Sequence, residues 1–328
     1  MTVRIGTRAS KLALTQTQQT ADQLAAVGGF PVELVHVRTD GDVLTGSLSQ
    51  MGGTGVFVAA LRDALLRDEC DVAVHSLKDL PTGAAVGLSL AATPRRVDVR
   101  DVLCARDGLK LADLPAGARI GTGSPRRAAQ LRAARADLDI VDIRGNVDTR
   151  LGRVPGLPGN STDQVVPGKS CDLDAVVLAA AGLERIGRLD VVSEYLETDV
   201  MLPAAGQGSL AIECRTADAP AKPVPGGVLA QALAALDDPD TRLAVTAERA
   251  LLARLEAGCA APVGAYAYRK GSMLHLEAVV CAVDGTATVR DKRATDGLTE
   301  VGATLLGIEL AELLLAAGAA DIADLQAS

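Results

Sequence analysis

Residues 118–143 read ARIGTGSPRRAAQLRAARADLDIVDI. Ala118–Thr122 is a short apolar strand, Ser124–Ala136 a helix and Leu138–Ile143 a second strand, the βαβ unit of an α/β sheet with mostly parallel strands. Ser124 is placed to cap the helix, and Pro125 fits its first position, where a missing N–H costs nothing. The same rhythm runs outward on both sides. Toward the N-terminus, Val3–Thr7 reads as a strand, Ser10 caps a helix through about Ala26, and Pro31–Arg38 alternates as a strand does. Gly52-Gly-Thr-Gly55 then opens a helix through Arg67, followed by the strand Asp71–His75. Toward the C-terminus, Asp174–Ala180 is a strand of buried type, and Pro155–Ser170, rich in Gly, Pro and polar residues, is a surface insertion. Leu202–Ser209 leads into the strand Leu210–Cys214, which can return to the first unit. That gives two α/β lobes joined by crossings near residues 96–101 and 202–209.

Ala217–Gly227, with its prolines and glycines, reads as a linker. Beyond it come a helix over about Thr241–Ala257, strands around Ala265–Tyr268, Leu274–Ala282 and Ala287–Arg290, and a helix from about Gly302 to Ala317. This order predicts a smaller C-terminal α+β domain. The expected divisions are 1–98 with 205–226, then 99–204, then 227–328. No repeat at solenoid spacing is visible.

The chain has 328 residues and a net charge of −8, from 33 basic and 41 acidic side chains. Aromatic residues make up only 2%, which excludes stacking platforms for single-stranded nucleic acid. The acidic balance argues equally against a surface that neutralises many phosphates. The N-terminal MTVRIGTRAS lacks an apolar signal segment, and no later run is long enough to span a bilayer, so the sequence predicts a cytoplasmic protein with no membrane partner. Six cysteines without a CxxC pair, and only three histidines, predict reduced thiols and no metal site.

Local charge contradicts global charge in one place. Between Arg119 and Arg153 lie eight arginines, no lysine and four acids. Guanidinium forks suit planar carboxylates. Arg132 and Arg135 fit an ordinary solvated helix face. Arg126 and Arg127 follow the capped turn, where free N–H groups and the helix dipole already favour an anion. Arg144-Gly145-Asn-Val-Asp-Thr-Arg150 sends two more arginines to the same edge. His75-Ser-Leu-Lys78-Asp79 follows a strand at the carboxyl edge where open α/β sheets bind ligands, although an acid beside a lysine is ordinarily a solvated loop pair. Cys259 lies in a loop after a helix stopped by Gly258, a better place for covalent chemistry than the cysteines in or beside apolar strands.

Eight blocks, in order over nearly the whole chain, resemble the porphobilinogen deaminase (hydroxymethylbilane synthase) family: RIGTRASKLAL, GGTGVFV, DVAVHSLKDLPT, GTGSPRRAAQL, DIRGNVDTRL, LAAAGLERIG, LPAAGQGSLAIECR and ERALLARLEAGCAAPVGAYA. The resemblance implies two periplasmic-binding-protein-like (type II) lobes and a third domain. It implies a monomeric transferase of tetrapyrrole (haem) biosynthesis that joins four porphobilinogen molecules head to tail, releases ammonia and finally frees linear hydroxymethylbilane. A dipyrromethane primer, held by a thioether, maps onto Cys259, and the essential acid onto Asp79. Cofactor contacts map onto Ser10, Lys78, Ser124, Arg126, Arg127, Arg144, Gly145 and Gln207. Contacts to porphobilinogen and the growing polypyrrole chain map onto Arg8, Arg144, Arg150 and Arg185, with Phe57 either packed over the rings or in the core of its helix. A transient contact with uroporphyrinogen III synthase is left open.

These residue types belong together physically. Each added unit carries an acetate and a propionate, and a dry cleft holds such a polyanion only with fixed cations. Loss of ammonia needs a proton delivered to the leaving amine and leaves a cation that a carboxylate stabilises, the two roles expected of Asp79. The chain departs from the family where lysines often flank and interrupt the double glycine: it has Gln50 and Thr54, and Asp40 stands where some relatives have a basic residue. Arg4, Arg38 or a backbone N–H are the candidates to compensate. A rival of another class is a non-catalytic two-lobed binding protein for a polycarboxylate, which needs the arginines but neither Asp79 nor Cys259. A transferase acting on a phosphorylated metabolite is a second rival.

Overall fold

The structure, a computed structural model, describes residues 2–37, 55–157, 171–220, 226–257 and 261–325, with the side chains of residues 55–57 excepted. Arg38, Asp40, Gln50, Thr54, Cys259 and the Phe57 side chain, with most of the expected insertion, therefore lie outside the described residues.

The first lobe opens with β1 (Val3–Thr7), α1 (Lys11–Gly28), β2 (Val32–His36), α2 (Gly55–Leu66), β3 (Val72–Ser76) and β4 (Leu88–Ala92). Ser10 caps α1 by accepting from Ala13 N, and Gly29 ends it in the left-handed conformation that glycine adopts without strain. The chain then crosses and builds β5 (Asp101–Ala105), β6 (Arg119–Thr122), α3 (Pro125–Ala134), β7 (Asp139–Asp142), α4 (Val147–Leu151), β8 (Ala175–Ala179), α5 (Ala180–Arg185) and β9 (Glu194–Leu196). It crosses back as β10 (Leu210–Arg215).

The two five-stranded sheets have orders β2-β1-β3-β10-β4 and β7-β6-β8-β5-β9. In each, the first three strands are parallel, and the fourth is the antiparallel strand that has just arrived from the other lobe. The fold is therefore mixed α/β, doubly crossed, with four strands of each sheet pointing one way. The likeness extends to sequence and bonding. RIGT recurs at residues 4–7 and 119–122, in β1 and β6. Asp71 precedes β3 and accepts from Arg4 N at 2.9 Å, and Asp174 precedes β8 and accepts from Arg119 N at 2.7 Å. Arg215, closing β10, pairs with Asp71, and Arg106, just after β5, pairs with Asp174.

Next come α6 (Val228–Leu236), α7 (Pro239–Arg254), a meander of β11 (Val263–Lys270), β12 (Met273–Cys281) and β13 (Thr288–Thr295), then α8 (Glu300–Ala316) and the short α9 (Ala319–Ile322). α7 and α8 cover one face of the meander in a core that includes Leu251, Leu276, Leu306 and Leu310. α6 behaves differently from the expected division at residue 227. Its Leu229, Ala232 and Leu233 pack with Val3, Ile5, Leu24 and Ile212 in the first lobe, because its apolar face meets that sheet rather than the meander.

Glu248 of α7 ties the three parts together. Its fully buried carboxylate accepts from Arg96 on one crossing at 2.6 Å, Gly206 N on the other at 2.6 Å and Ala267 N on β11 at 2.8 Å. The crossings also touch: at Gly208, where φ is +86°, an added Cβ would lie 2.8 Å from the Val97 carbonyl oxygen, so the return strand needs glycine there. Among the described residues no helix is long and apolar enough to cross a membrane.

Candidate functional site

The carboxyl ends of the parallel strands in both sheets turn toward the crossings, the edge where ligands bind in open α/β folds. On the first lobe, Arg8 and the cap Ser10 follow β1, and Lys78 and Asp79 lie in a single 3₁₀ turn after β3, all half-buried. On the second, Ser124 and Pro125 start α3 as expected, with Ser124 accepting from Arg127 N at 3.5 Å. Arg144 follows β7, and Arg185 ends α5.

The guanidinium groups of Arg126 and Arg127 do not lie at the helix start as free anion ligands. Both are buried and turn back onto Asp101, which is 0% exposed. Arg126 Nη2 donates to Asp101 Oδ2 at 2.7 Å, and Arg127 Nη2 and Nε donate to Oδ1 at 2.7 and 2.9 Å. Gln207, on the return crossing, adds a bond from Nε2 to Oδ1 at 2.9 Å and another to the Val99 carbonyl at 2.7 Å. Arg126 also donates to the Leu202 carbonyl. A lone buried carboxylate is costly, and these donors are what make it tolerable. Burial pushes the Asp101 pKa up, but the charges of Arg126 and Arg127 prevail and hold it at about 2. Two guanidinium charges against one carboxylate still leave a cation in surplus.

Lys78 joins this cluster from the other lobe. Burial, then the charges of Arg127 and Arg126 opposed by Asp79 and Asp101, lower its pKa to about 8. The ammonium therefore stands between two protonation states near physiological pH. Arg185 donates to the Gly208 carbonyl at 2.9 Å, and burial lowers its pKa to about 10. Arg150 is half-buried, donates to the Gly145 carbonyl at 2.9 Å, and has its pKa lowered by burial and then by Arg127 and Arg144. Gly145 has φ +105°, which lets the chain turn sharply between the two arginines. Arg144 is exposed and pairs with Asp142 at 3.1 Å. The structure thus gathers Lys78, Arg126, Arg127 and Gln207 around Asp101, with Arg150 close enough to feel Arg127. Phe57 and Cys259 lie outside the described side chains. Arg4 is engaged at the amino end of β1 by Asp71 and Asp68, so it is not a replacement for the missing lysine charge.

Three buried polar atoms here have no hydrogen-bond partner among the described residues: Arg126 Nε, Gln207 Oε1 and Ser209 Oγ. Buried polar atoms are almost always satisfied, so this set marks a place for polar groups from elsewhere. It offers donors for carboxylates and an acceptor for an N–H, the donor set a carboxylated pyrrole chain requires. Sequence reasoning did not single out Asp101 or Ser209; an acid opening the otherwise apolar DVLCA was the visible signal for the first. It also passed over a buried set behind β3. There Glu213 accepts from Arg62 at 2.8 Å and meets His75 Nε2 at 3.1 Å. Burial raises the Glu213 pKa, yet His75 and Arg62 hold it near 2. Cys70, Cys104, Cys214 and Cys281 are buried, with burial pushing their thiols up to between about 11 and 12, and are inert as nucleophiles.

Two family models match the chain: "Porphobilinogen deaminase, dipyromethane cofactor binding domain" over residues 3–222 and "Porphobilinogen deaminase, C-terminal domain" over residues 242–316. A protein of Cutibacterium acnes named porphobilinogen deaminase is 55% identical over 337 residues, covering 99% of this chain and 98% of its own length. One of the same name from Leifsonia xyli subsp. xyli is 52% identical over 330 residues, covering 99% and 95%. Among solved structures, a periplasmic substrate-binding protein of an ABC transporter from Coxiella burnetii aligns with a TM-score of 0.42 at 15% identity, over 72% of this chain and 92% of that one.

Proposed function

The chain belongs to the porphobilinogen deaminase family, and we propose that it is a working hydroxymethylbilane synthase: a transferase that condenses four porphobilinogen molecules head to tail on a dipyrromethane primer and releases ammonia and linear hydroxymethylbilane. The observation that carries the reading is the surplus of buried positive charge around Asp101, facing Lys78 and Asp79 across the crossings. A substrate with two carboxylates per unit needs such a surplus, and a neutral solute does not.

Lys78, Ser10, Arg126, Arg127 and Gln207 hold the primer, with the unpartnered Arg126 Nε and Ser209 Oγ as donors. When bound, the dipyrromethane would supply the free pyrrole carbon to which the first unit is added, and Cys259 would be its point of attachment. Asp101 keeps the two guanidinium forks from swinging, so their charge is in place before ligand arrives and no reorganisation is needed. Arg8, Arg144, Arg150 and Arg185 take the carboxylates of incoming and growing units. The Asp79 carboxyl delivers a proton to the departing amine and, once ionised, stabilises the cation left on the substrate pyrrole. Lys78 Nζ, with its lowered pKa, binds a carboxylate in its charged form and holds a proton next to Asp79. The same reading places the enzyme in the cytoplasm, in transient contact with uroporphyrinogen III synthase. It divides the chain into two lobes, the first extended to take in α6, and a third unit from α7 onward.

The test is the intact mass of the purified protein and its reaction with porphobilinogen. A mass above the sequence value by two pyrrole units, mapped to Cys259, together with release of ammonia and hydroxymethylbilane, is expected. Protein that gains no adduct even after incubation with porphobilinogen would overturn the reading in favour of a non-catalytic binding protein.

A further inference from the structure

The ends of β3 and β8 are matched positions of the two sheets, but the chain leaves them differently. β8 runs straight into α5, whose own i→i−4 bonds hold it. β3 runs into one 3₁₀ turn, closed by Leu80 N donating to the Leu77 carbonyl at 3.0 Å, and then into residues 81–87, nearly all exposed. A turn with one internal bond is a weak support for the acid it carries. Leu77 N also donates to the Ser209 carbonyl at 3.0 Å, and the support beyond Leu80 comes from α7. Arg249 Nη1 donates to the Leu80 carbonyl at 2.9 Å and Nη2 to the Pro81 carbonyl at 2.6 Å. One turn earlier on the same helix face, Val245 is buried against Leu77 and Leu80.

Fixing a loop in this way carries a desolvation cost. Burial lowers the Arg249 pKa, and Arg62 repels it, against partial compensation from Glu213. Glu213 is already held by Arg62 and His75, and among the described residues the hydrogen bonds of Arg249 go to two neutral carbonyls. A cation desolvated for main-chain carbonyls, directly after Lys78-Asp79, is placed to fix backbone position.

We propose that Arg249 is a positioning residue for Asp79, gripping the Leu80 and Pro81 carbonyls so that the carboxyl group is held at a fixed place in the cleft. The proposal rests on the deaminase reading. Displacement of an acid by about an ångström costs on the order of 100-fold in rate. The experiment uses primer-loaded enzyme, verified by mass, in the variants Arg249→Met, Arg249→Gln and Arg249→Lys. The expected result is a fall in kcat of about 10- to 100-fold for Arg249→Met with KM for porphobilinogen within about twofold, and graded recovery through Gln and Lys. Hydrogen exchange of the peptide spanning residues 77–90 rises in parallel, in primer-loaded and primer-free protein alike, while that of β6 and β8 stays unchanged. Unchanged kcat, a loss confined to KM, or exchange that rises evenly over the whole chain would each overturn the proposal. If Arg249→Met does not fold, the Gln and Lys variants decide by the same criteria. Wild-type protein that fails to turn over porphobilinogen would instead sink the deaminase reading, and the exchange pattern would still report on the grip.

Discussion

At the end of β3 the chain leaves the first sheet through Ser76, Leu77, Lys78 and Asp79; at the matched end of β8 it leaves the second through Ala179, Ala180, Ala181 and Gly182. The match is set by register, since Ser76 pairs with Leu210 and Ala179 with Asp101, the first residues of the two returning strands. Those returning strands differ in the opposite sense: Asp101 opens β5 with a buried carboxylate where Leu210 opens β10 with an aliphatic group. One topology used twice has thus divided its chemistry. The first lobe carries the acid and the lysine near its titration point; the second carries the guanidinium groups and the carboxylate that anchors them. What the lobes keep in common is the scaffold, seen in the paired Arg4–Asp71 and Arg119–Asp174 contacts at the far ends of the strands.

The sharpest way to break this comparison is to exchange the acids. Asp79→Asn should lower turnover by about 10²–10⁴-fold while the primer stays attached, and adding Gly182→Asp should restore nothing. Steady-state kinetics with mass analysis decides; near-normal turnover of Asp79→Asn would end the assignment. Next in size is Asp101→Ala, which leaves two buried guanidinium groups without their carboxylate and should cost about 3–5 kcal/mol in denaturant unfolding. Leu210→Ala at the matched position should cost only about 1–2 kcal/mol. Comparable losses at the two sites would show that Asp101 is merely a core position.

The scaffold contacts sharpen the comparison from the other side. Asp71→Asn and Asp174→Asn should each cost about 1–3 kcal/mol, because both carboxylates accept a strand N–H and pair with an arginine beside the returning strand, with Asp71 the costlier since its carboxylate also takes two side-chain bonds from Arg4. A large loss in one and none in the other would dissolve the equivalence. The smallest effect is a titration. With the Lys78 pKa lowered to about 8, the ammonium deprotonates as pH rises through that value, so primer loading by primer-free protein should slow above pH 8. The Lys78→Arg variant, whose guanidinium does not titrate there, should keep the loading rate flat through that range. The stability sign runs the other way: between about 8 and 10.5 the unfolded chain still holds the proton that the fold has released, so the ligand-free protein should gain stability with rising pH in that window.

Much of this was legible in local patterns. β1, α1, β3, α3 and β8 lie within a residue or two of their sequence-based bounds, because apolar runs, the caps Ser10 and Ser124, and Pro125 are local signals. β4, β5 and β9 were not separated as strands: β9 has three residues, and β5 follows the charged stretch Arg95–Arg100, which masks its apolar run. The RIGT recurrence was in plain view yet too short to read as a repeat until the register paired each copy with its aspartate. At the site, the residue types at 78, 79, 126 and 127 were readable, but the direction of the two guanidinium groups was not. Asp101 lies on another segment, and a tertiary ion pair leaves no periodicity in sequence.

The exchange of β5 and β10 between the sheets also sets an order of events during synthesis. The second lobe draws all its strands from one uninterrupted stretch, residues 101–196, whereas the first lacks its fourth strand until residues 210–215 have been made. Of the two lobes, the one begun first on the ribosome is therefore completed second, with β3 and β4 flanking an open slot while an entire neighbouring lobe is translated. The strand that fills the slot brings Gln207 and Ser209 with it, so the closing of that sheet and the arrival of these two cleft residues are a single event.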